Sequence, residues 1–256
     1  MKERIVSSLV FLLVLIIGFI LGNQYYAILL GCCAVLGVRE FILVKQNNNN
    51  LILVKILNYI GVLLLTFNNV YFIIDDMVVI LYLILSNLFS VLVYQNKYNL
   101  TASLNIIGIT YILGLAFNII LGLRISNWYL CLFIFIIAFS NDIYDYVTGC
   151  LIGKHQLKNY PKKSYESIII GIIMSCVIGY VYYYNVIGSI SVIGCILLCL
   201  FLSIMSVVGD LIFENIKRYH KLEFYYELLP GMKGILDRFD SILFVALGLF
   251  LFLSVF

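Results

Sequence analysis

Long apolar runs separated by short polar clusters set the pattern of this chain. Within each run no regular alternation of polar and apolar positions is visible, and each is about 17 to 25 residues long, the length a helix needs to cross the hydrocarbon core of a bilayer. A membrane barrel would instead show strand-length segments with alternating polarity. The pattern predicts an all-α, polytopic transmembrane protein with about nine spans, near residues 5–22, 25–44, 53–72, 77–95, 104–123, 127–145, 167–184, 187–208 and 239–256.

Composition and charge sharpen this reading. The 256 residues are 64% hydrophobic and 11% charged, with only two prolines, and the mean hydropathy is +1.10. These values exclude an ordinary soluble domain. The basic residues fall in every other connection: Lys2 and Arg4 before the first span, Lys45 and Lys55 around the second connection, and Lys97 after the fourth span. Lys154, Lys158, Lys162 and Lys163 follow the sixth span, and Lys217, Arg218, Lys221, Lys233 and Arg238 follow the eighth. The alternate connections hold Asn23, Asp75, Asp76 and Asn185, with Arg124 as their one arginine. By the positive-inside rule the N-terminus is expected in the cytoplasm and the C-terminus outside.

The basic start and apolar stretch at residues 1–23 resemble a signal peptide, but the apolar part is long enough to span and no small-residue cleavage site follows, so a retained first helix is expected. The seven cysteines fall mostly in apolar runs without CxxC pairs, which predicts buried free thiols rather than disulfides or a zinc site. His155 and His220, both among lysines, read as solvated loop residues. With no repeat and no soluble segment, residues 1–256 are read as one membrane domain, with N-terminal helices over 1–100 and the chemistry over 101–256. A net charge of +3, distributed as topology requires, argues against nucleic-acid binding.

Polar chemistry is concentrated in two segments, 140–167 and 209–241, both expected on the cytoplasmic side. Each opens with an acid at the end of a span, where a carboxylate is costly unless a cation, a donor or water meets it. In the first segment Asp142 and Asp145 share a face if the helix continues, and Gly149 and Gly153 permit a close approach. Lys162 and Lys163 follow Pro161 and precede Glu166, a grouping suited to phosphate. In the second segment Glu214 and Arg218 are spaced for a helix-surface ion pair. Asp210, Asp237 and Asp240 are expected to converge beside Lys217, Arg218 and Arg238. Carboxylates with adjacent cations suit a magnesium ion carrying a nucleoside triphosphate, since magnesium takes hard oxygen ligands and the cations neutralise departing pyrophosphate.

The sequence resembles the membrane-embedded CTP:phosphatidate cytidylyltransferases. The resemblance is carried by Lys217, Arg218, Pro230, Gly231, Gly234, Asp237, Arg238, Asp240 and Ser241, with Gly209 and Asp210 upstream, and covers roughly residues 105–245. A second, degenerate element matches at Asn141, Asp142, Tyr146, Gly149, Gly153, Lys154, Pro161, Lys162, Lys163 and Glu166, and "VREF" at 38–41 matches weakly. The chain departs from the family pattern at Glu214, Glu223, Phe224, Tyr226, Met232 and Lys233, and Asp145 stands where the pattern has alanine. The departure at Phe224 removes a carboxylate, for which Glu223 and Glu227 are candidate replacements.

The resemblance implies transfer of a cytidylyl group from CTP to phosphatidic acid in phospholipid synthesis at the cell membrane. It implies Asp210, Asp237 and Asp240 as metal ligands for magnesium, with room for a second cation, and Lys217 and Arg218 as catalytic cations. Asn141, Asp142, Tyr146, Lys162, Lys163, Glu166, Arg238 and Ser241 are the implied substrate-binding residues, and a homodimer is compatible with it. Two readings from other classes stand beside it. One is a noncatalytic or altered-substrate relative that binds lipid phosphate or nucleotide; the other is a transporter, disfavoured because the acids cluster at one face and no repeat is visible.

Overall fold

The structure, a computed structural model, describes residues 13–45, 51–94, 98–157, 160–188, 191–220 and 234–255, without the side chains of residues 44, 45, 161, 162 and 255. Among these residues there are nine helices. They are α1 (residues 13–21), α2 (Asn23–Lys45), α3 (Ile52–Phe67), α4 (Asp76–Val93), α5 (Leu100–Ser126), α6 (Trp128–Ile152), α7 (Tyr165–Val186), α8 (Val192–Tyr219) and α9 (Leu236–Val255). Six of them, α2 and α4 to α8, are long and apolar enough to cross a membrane. The chain is a polytopic helical membrane protein.

The order of helices follows the apolar runs, but several ends differ from the expected ones. α6 continues to Ile152 and α8 to Tyr219, so polar stretches expected as connections are extensions of the helices. Between α6 and α7 a two-stranded antiparallel hairpin forms from β1 (Gln156–Leu157) and β2 (Tyr160–Ser164), which the apolar pattern did not predict.

The chain divides into two compact units. The first comprises residues 1–125 and 215–238, the second residues 126–214 and 239–256. α8 and α9 each run from one unit into the other.

In the first unit, α3 and α4 are tied by buried amides, and Thr110 of α5 joins them by donating to Asn58 Oδ1 at 3.3 Å. Asn58 and Asn87 exchange hydrogen bonds at 3.0 and 3.1 Å, Tyr98 Oη donates to Asn87 Oδ1 at 2.9 Å, and each amide also donates to a carbonyl of its own helix. An asparagine inside an apolar bundle is costly alone; paired reciprocally it fixes helix register. Gly114 brings α5 onto α3, because a Cβ there would stand 2.5 Å from Leu65 Cβ. Asp75 and Asp76, expected as plain loop acids, order the start of α4. Asp75 accepts the Met77 N–H at 3.1 Å as its N-cap, and Asn68 donates to Asp76. Arg124 donates to the Phe19 carbonyl at 2.7 Å and lies over the Phe19 ring, tying α5 to α1.

In the second unit small residues let helices meet closely. Gly171 and Gly179 of α7 face Asn141 and Ile137 of α6, and Ser175 donates to Ser203 of α8 at 2.8 Å. Gly209 of α8 faces the Asp240 carbonyl and Phe244 of α9, where a Cβ would stand 2.6 and 2.8 Å away. The cysteines are free thiols among the described residues, as expected, although Cys32 and Cys150 are exposed.

Replacing Asn58 with alanine removes both of its hydrogen bonds with Asn87 and the acceptor of Thr110, while the Tyr98–Asn87 bond remains. The expected loss is about 1–3 kcal/mol of stability, read as a lower melting temperature of the detergent-solubilised protein. The Asn58→Ala/Asn87→Ala double variant should lose less than the sum of the two single variants.

Candidate active site

The second unit collects charged side chains from four elements. The hairpin positions Lys163 on β2, and the turn into α7 fixes that strand. Ser164 N-caps α7, its Oγ accepting the Ser167 N–H at 3.1 Å while the Ser167 Oγ accepts the Ser164 N–H at 3.3 Å. Gly153 makes this turn possible, since a Cβ there would stand 2.9 Å from Ser164 Oγ. The Tyr165 N–H then closes onto the His155 carbonyl at 3.1 Å.

Held this way, the Lys163 ammonium bonds to the Asp210 carboxylate of α8 and lies 3.3 Å from Asp145 Oδ2 of α6. Side-chain exposures of 16% for Lys163, 15% for Asp145 and 28% for Asp210 place this triad beyond the surface ion pairs that bulk water weakens. Burial alone would lower the Lys163 pKa, but Asp210 and Asp145 outweigh it and hold the ammonium above its ordinary value.

The first turn of α9 within this unit completes the cluster. Ser241 Oγ donates to Asp142 Oδ1 at 3.0 Å, and Asp240, buried, accepts the Ser241 N–H at 3.0 Å. Asp142 remains solvent-accessible. Asn141 is buried and donates to Ser206 of α8 at 3.2 Å. Two buried acceptors, Asn141 Oδ1 and Asp145 Oδ1, have no hydrogen-bond partner among the described residues. Buried oxygens of this kind normally meet a donor or a cation.

The first unit holds a second charged group. Lys217 of α8 pairs with Asp237 of α9 at 2.8 Å, with side-chain exposures of 10% and 2%. The preceding turn of α9 is held by Glu40 of α2, whose two carboxylate oxygens accept the N–H groups of Ile235 and Leu236.

The expected site residues thus separate into two groups. Asn141, Asp142, Lys163, Asp210, Asp240 and Ser241 come together in one unit. Asp237, Lys217, Arg218 and Arg238 belong to the other. Glu166 pairs with His155 at the surface and Tyr146 is 74% exposed, so neither joins the Lys163 cluster. The Lys162 side chain, and Glu223, Phe224 and Glu227 entirely, lie outside the described residues. Among the described residues no three His, Cys, Asp or Glu side chains lie close enough to hold a metal ion by themselves. Sequence reasoning undervalued Glu40 and Asp145. The signal for Glu40 was present, a carboxylate beside Arg39 within a largely apolar span.

The family model described as "Cytidylyltransferase family" matches residues 2–256. The chain belongs to this family. Among curated relatives, the phosphatidate cytidylyltransferase of Bacillus subtilis is 28% identical over 100% of this chain and 98% of its own length. The phosphatidate cytidylyltransferase of Staphylococcus haemolyticus is 30% identical, with the alignment spanning 59% of each chain.

Lys163→Met removes the ammonium that Asp145 and Asp210 share. A loss of up to about 3 kcal/mol is expected, at the low end of the range for broken buried pairs because the triad is partly exposed. The raised lysine pKa sets the sign of the pH effect. The contribution is complete below the unfolded lysine value, about 10.4, and fades as pH rises through the higher folded value. Thermal melts between neutral and strongly alkaline pH should show this alkaline loss in the wild-type protein, and Lys163→Met should lack it.

Proposed function

We propose that the chain transfers a cytidylyl group from CTP to phosphatidic acid, giving CDP-diacylglycerol and pyrophosphate. A phosphate oxygen of phosphatidic acid attacks the α-phosphorus of CTP, the bond from that phosphorus to the bridging oxygen breaks, and pyrophosphate leaves with the electron pair. No covalent protein intermediate is required, so positioning and charge stabilisation supply the catalysis. The observation that carries the reading is the meeting of two distant sequence elements, in which Lys163 reaches Asp210 and Asp142 reaches Ser241.

The residues fit a magnesium ion. Magnesium is content with one or two protein carboxylates, completing its shell with water and substrate phosphates, so a cage of three acids is not needed. Asp210 and Asp240 are the proposed ligands in the second unit, and Asp145 Oδ1, without a partner among the described residues, favours added positive charge nearby. When bound, magnesium supplies charge neutralisation at the triphosphate and orients the phosphorus under attack.

The chain's own groups do the rest. Lys163 is poised to exchange a carboxylate for a phosphate oxygen, and Asp142, solvent-accessible and oriented by Ser241, marks the open side of the cluster. Lys217, Arg218 and Arg238 are the proposed phosphate-binding cations of the first unit, with Asp237 orienting Lys217. The alternating basic connections support placing both charged groups at the cytoplasmic face, where CTP is available, with acyl chains lying between helices. A homodimer in the cell membrane belongs to the same proposal.

Purified protein given phosphatidic acid, magnesium and labelled CTP should place label in the lipid phase as CDP-diacylglycerol, and removing magnesium with a chelator should stop it. Asp240→Asn and Asp237→Asn should each lower the turnover of folded protein by about 100-fold or more, and Asp237→Asn, which breaks the buried pair with Lys217, should also lower the melting temperature. Full activity in either variant would refute its role. Magnesium-dependent CTP binding with no label in lipid would favour the noncatalytic relative.

A further inference from the structure

Glu40 lies in α2, a largely apolar helix in which Arg39 is its neighbour, and is only 2% exposed. A carboxylate there costs free energy that an aliphatic side chain would avoid. What the carboxylate alone provides is a pair of acceptors. One oxygen takes the Ile235 N–H at 2.7 Å and the other takes the Leu236 N–H at 3.0 Å.

These donors sit at the start of α9, where the first N–H groups of a helix have no partner within it and the helix dipole favours negative charge. Neighbouring residues are shaped around the contact. Gly234 admits the carboxylate, since a Cβ there would stand 2.6 Å from Glu40 Oε2. Gly37, one turn earlier on α2, packs beside Leu236, whose Cδ2 would lie at ordinary contact distance, 3.4 Å, from a Cβ at that position. Leu236 itself is fully buried.

Asp237 and Arg238 follow directly, and Asp237 receives Lys217 at 2.8 Å. Two oxygens on two successive N–H groups fix both the height and the rotation of the turn, whereas a single bond would leave it free to swivel. All of these residues lie within the first unit.

We propose that Glu40 is a positioning residue for the transfer reaction, holding the first turn of α9 so that Asp237 and Arg238 are presented in a fixed orientation. The inference rests on the reaction proposed above. Glu40 touches no reacting atom; it acts through the backbone of residues 235 and 236.

The test compares Glu40→Ala, Glu40→Gln and Asn58→Ala in the full chain, by kcat and KM in the labelled-CTP assay and by hydrogen exchange over residues 235–239. Glu40→Ala should lower kcat about 100-fold, the scale of a small misplacement of a catalytic group, and speed exchange in that turn. Glu40→Gln keeps one acceptor oxygen and should fall between it and wild type on both readouts. Asn58→Ala lowers stability in the same unit but should leave kcat and the exchange of 235–239 unchanged, which separates positioning from general loosening.

Wild-type kcat, or wild-type exchange at 235–239, in Glu40→Ala overturns the proposal. If that variant does not fold, Glu40→Gln takes its place: slowed turnover with faster exchange in the turn supports the role, and wild-type behaviour in either overturns it. A wild-type chain that moves no label from CTP to phosphatidic acid refutes the assigned reaction. Exchange alone then judges the contact, and unchanged protection of 235–239 in Glu40→Ala removes it.

Discussion

Charge in this protein is governed by the poverty of its surroundings. In a chain of apolar helices, a carboxylate or ammonium away from bulk water is tolerated only where an opposite charge or a set of hydrogen-bond donors meets it. Lys163 shows the constraint most directly, since it carries two carboxylates, Asp145 and Asp210, that come from different helices. The hairpin and its serine capping box exist in the fold as the device that delivers that ammonium. Lys217 with Asp237, and Glu40 with two backbone N–H groups, follow the same rule in the other unit.

This rule also explains how a site for polyanionic substrates can be stored without them. A lysine paired with carboxylates avoids the penalty of an isolated buried cation. Substrate phosphates can then compete for the cation, and a metal ion for the carboxylates, so that one ionic arrangement is exchanged for another. Asn141 Oδ1 and Asp145 Oδ1, buried and without partners among the described residues, are acceptors of the kind such an exchange can use. Small residues make such exchanges local. Gly171 and Gly209 let α6, α7, α8 and α9 approach closely enough for short side chains to reach one another, which long flexible side chains would do with less precision.

Much of the architecture was legible in the pattern of apolar runs, because a helix that must satisfy its own backbone in lipid announces itself by length alone. The order of the helices, the polar segments at 140–167 and 209–241 and the family motifs within them needed nothing more. The ends of α6 and α8 were not legible, since Asp142 and Asp145 close the predicted span and Asp210 falls beyond one until the partners that hold them in longer helices are known. The hairpin was hidden for a similar reason. Its two strands are too short to show periodicity, and pairing plus the Ser164 cap, rather than composition, define them.

By itself, then, the sequence determined the class of protein, the succession of helices and the inventory of acids and cations from which a nucleotidyl-transfer site is proposed. It did so because hydropathy and motif spacing are local properties, readable one segment at a time. Which acid meets which cation was decided only by tertiary structure. Lys163 and Asp210 are separated by 47 residues, Asp142 and Ser241 by 99, and Glu40 and Ile235 by 195. No local preference encodes such pairings; they follow from helices packing at glycine and serine contacts until each costly charge finds its partner.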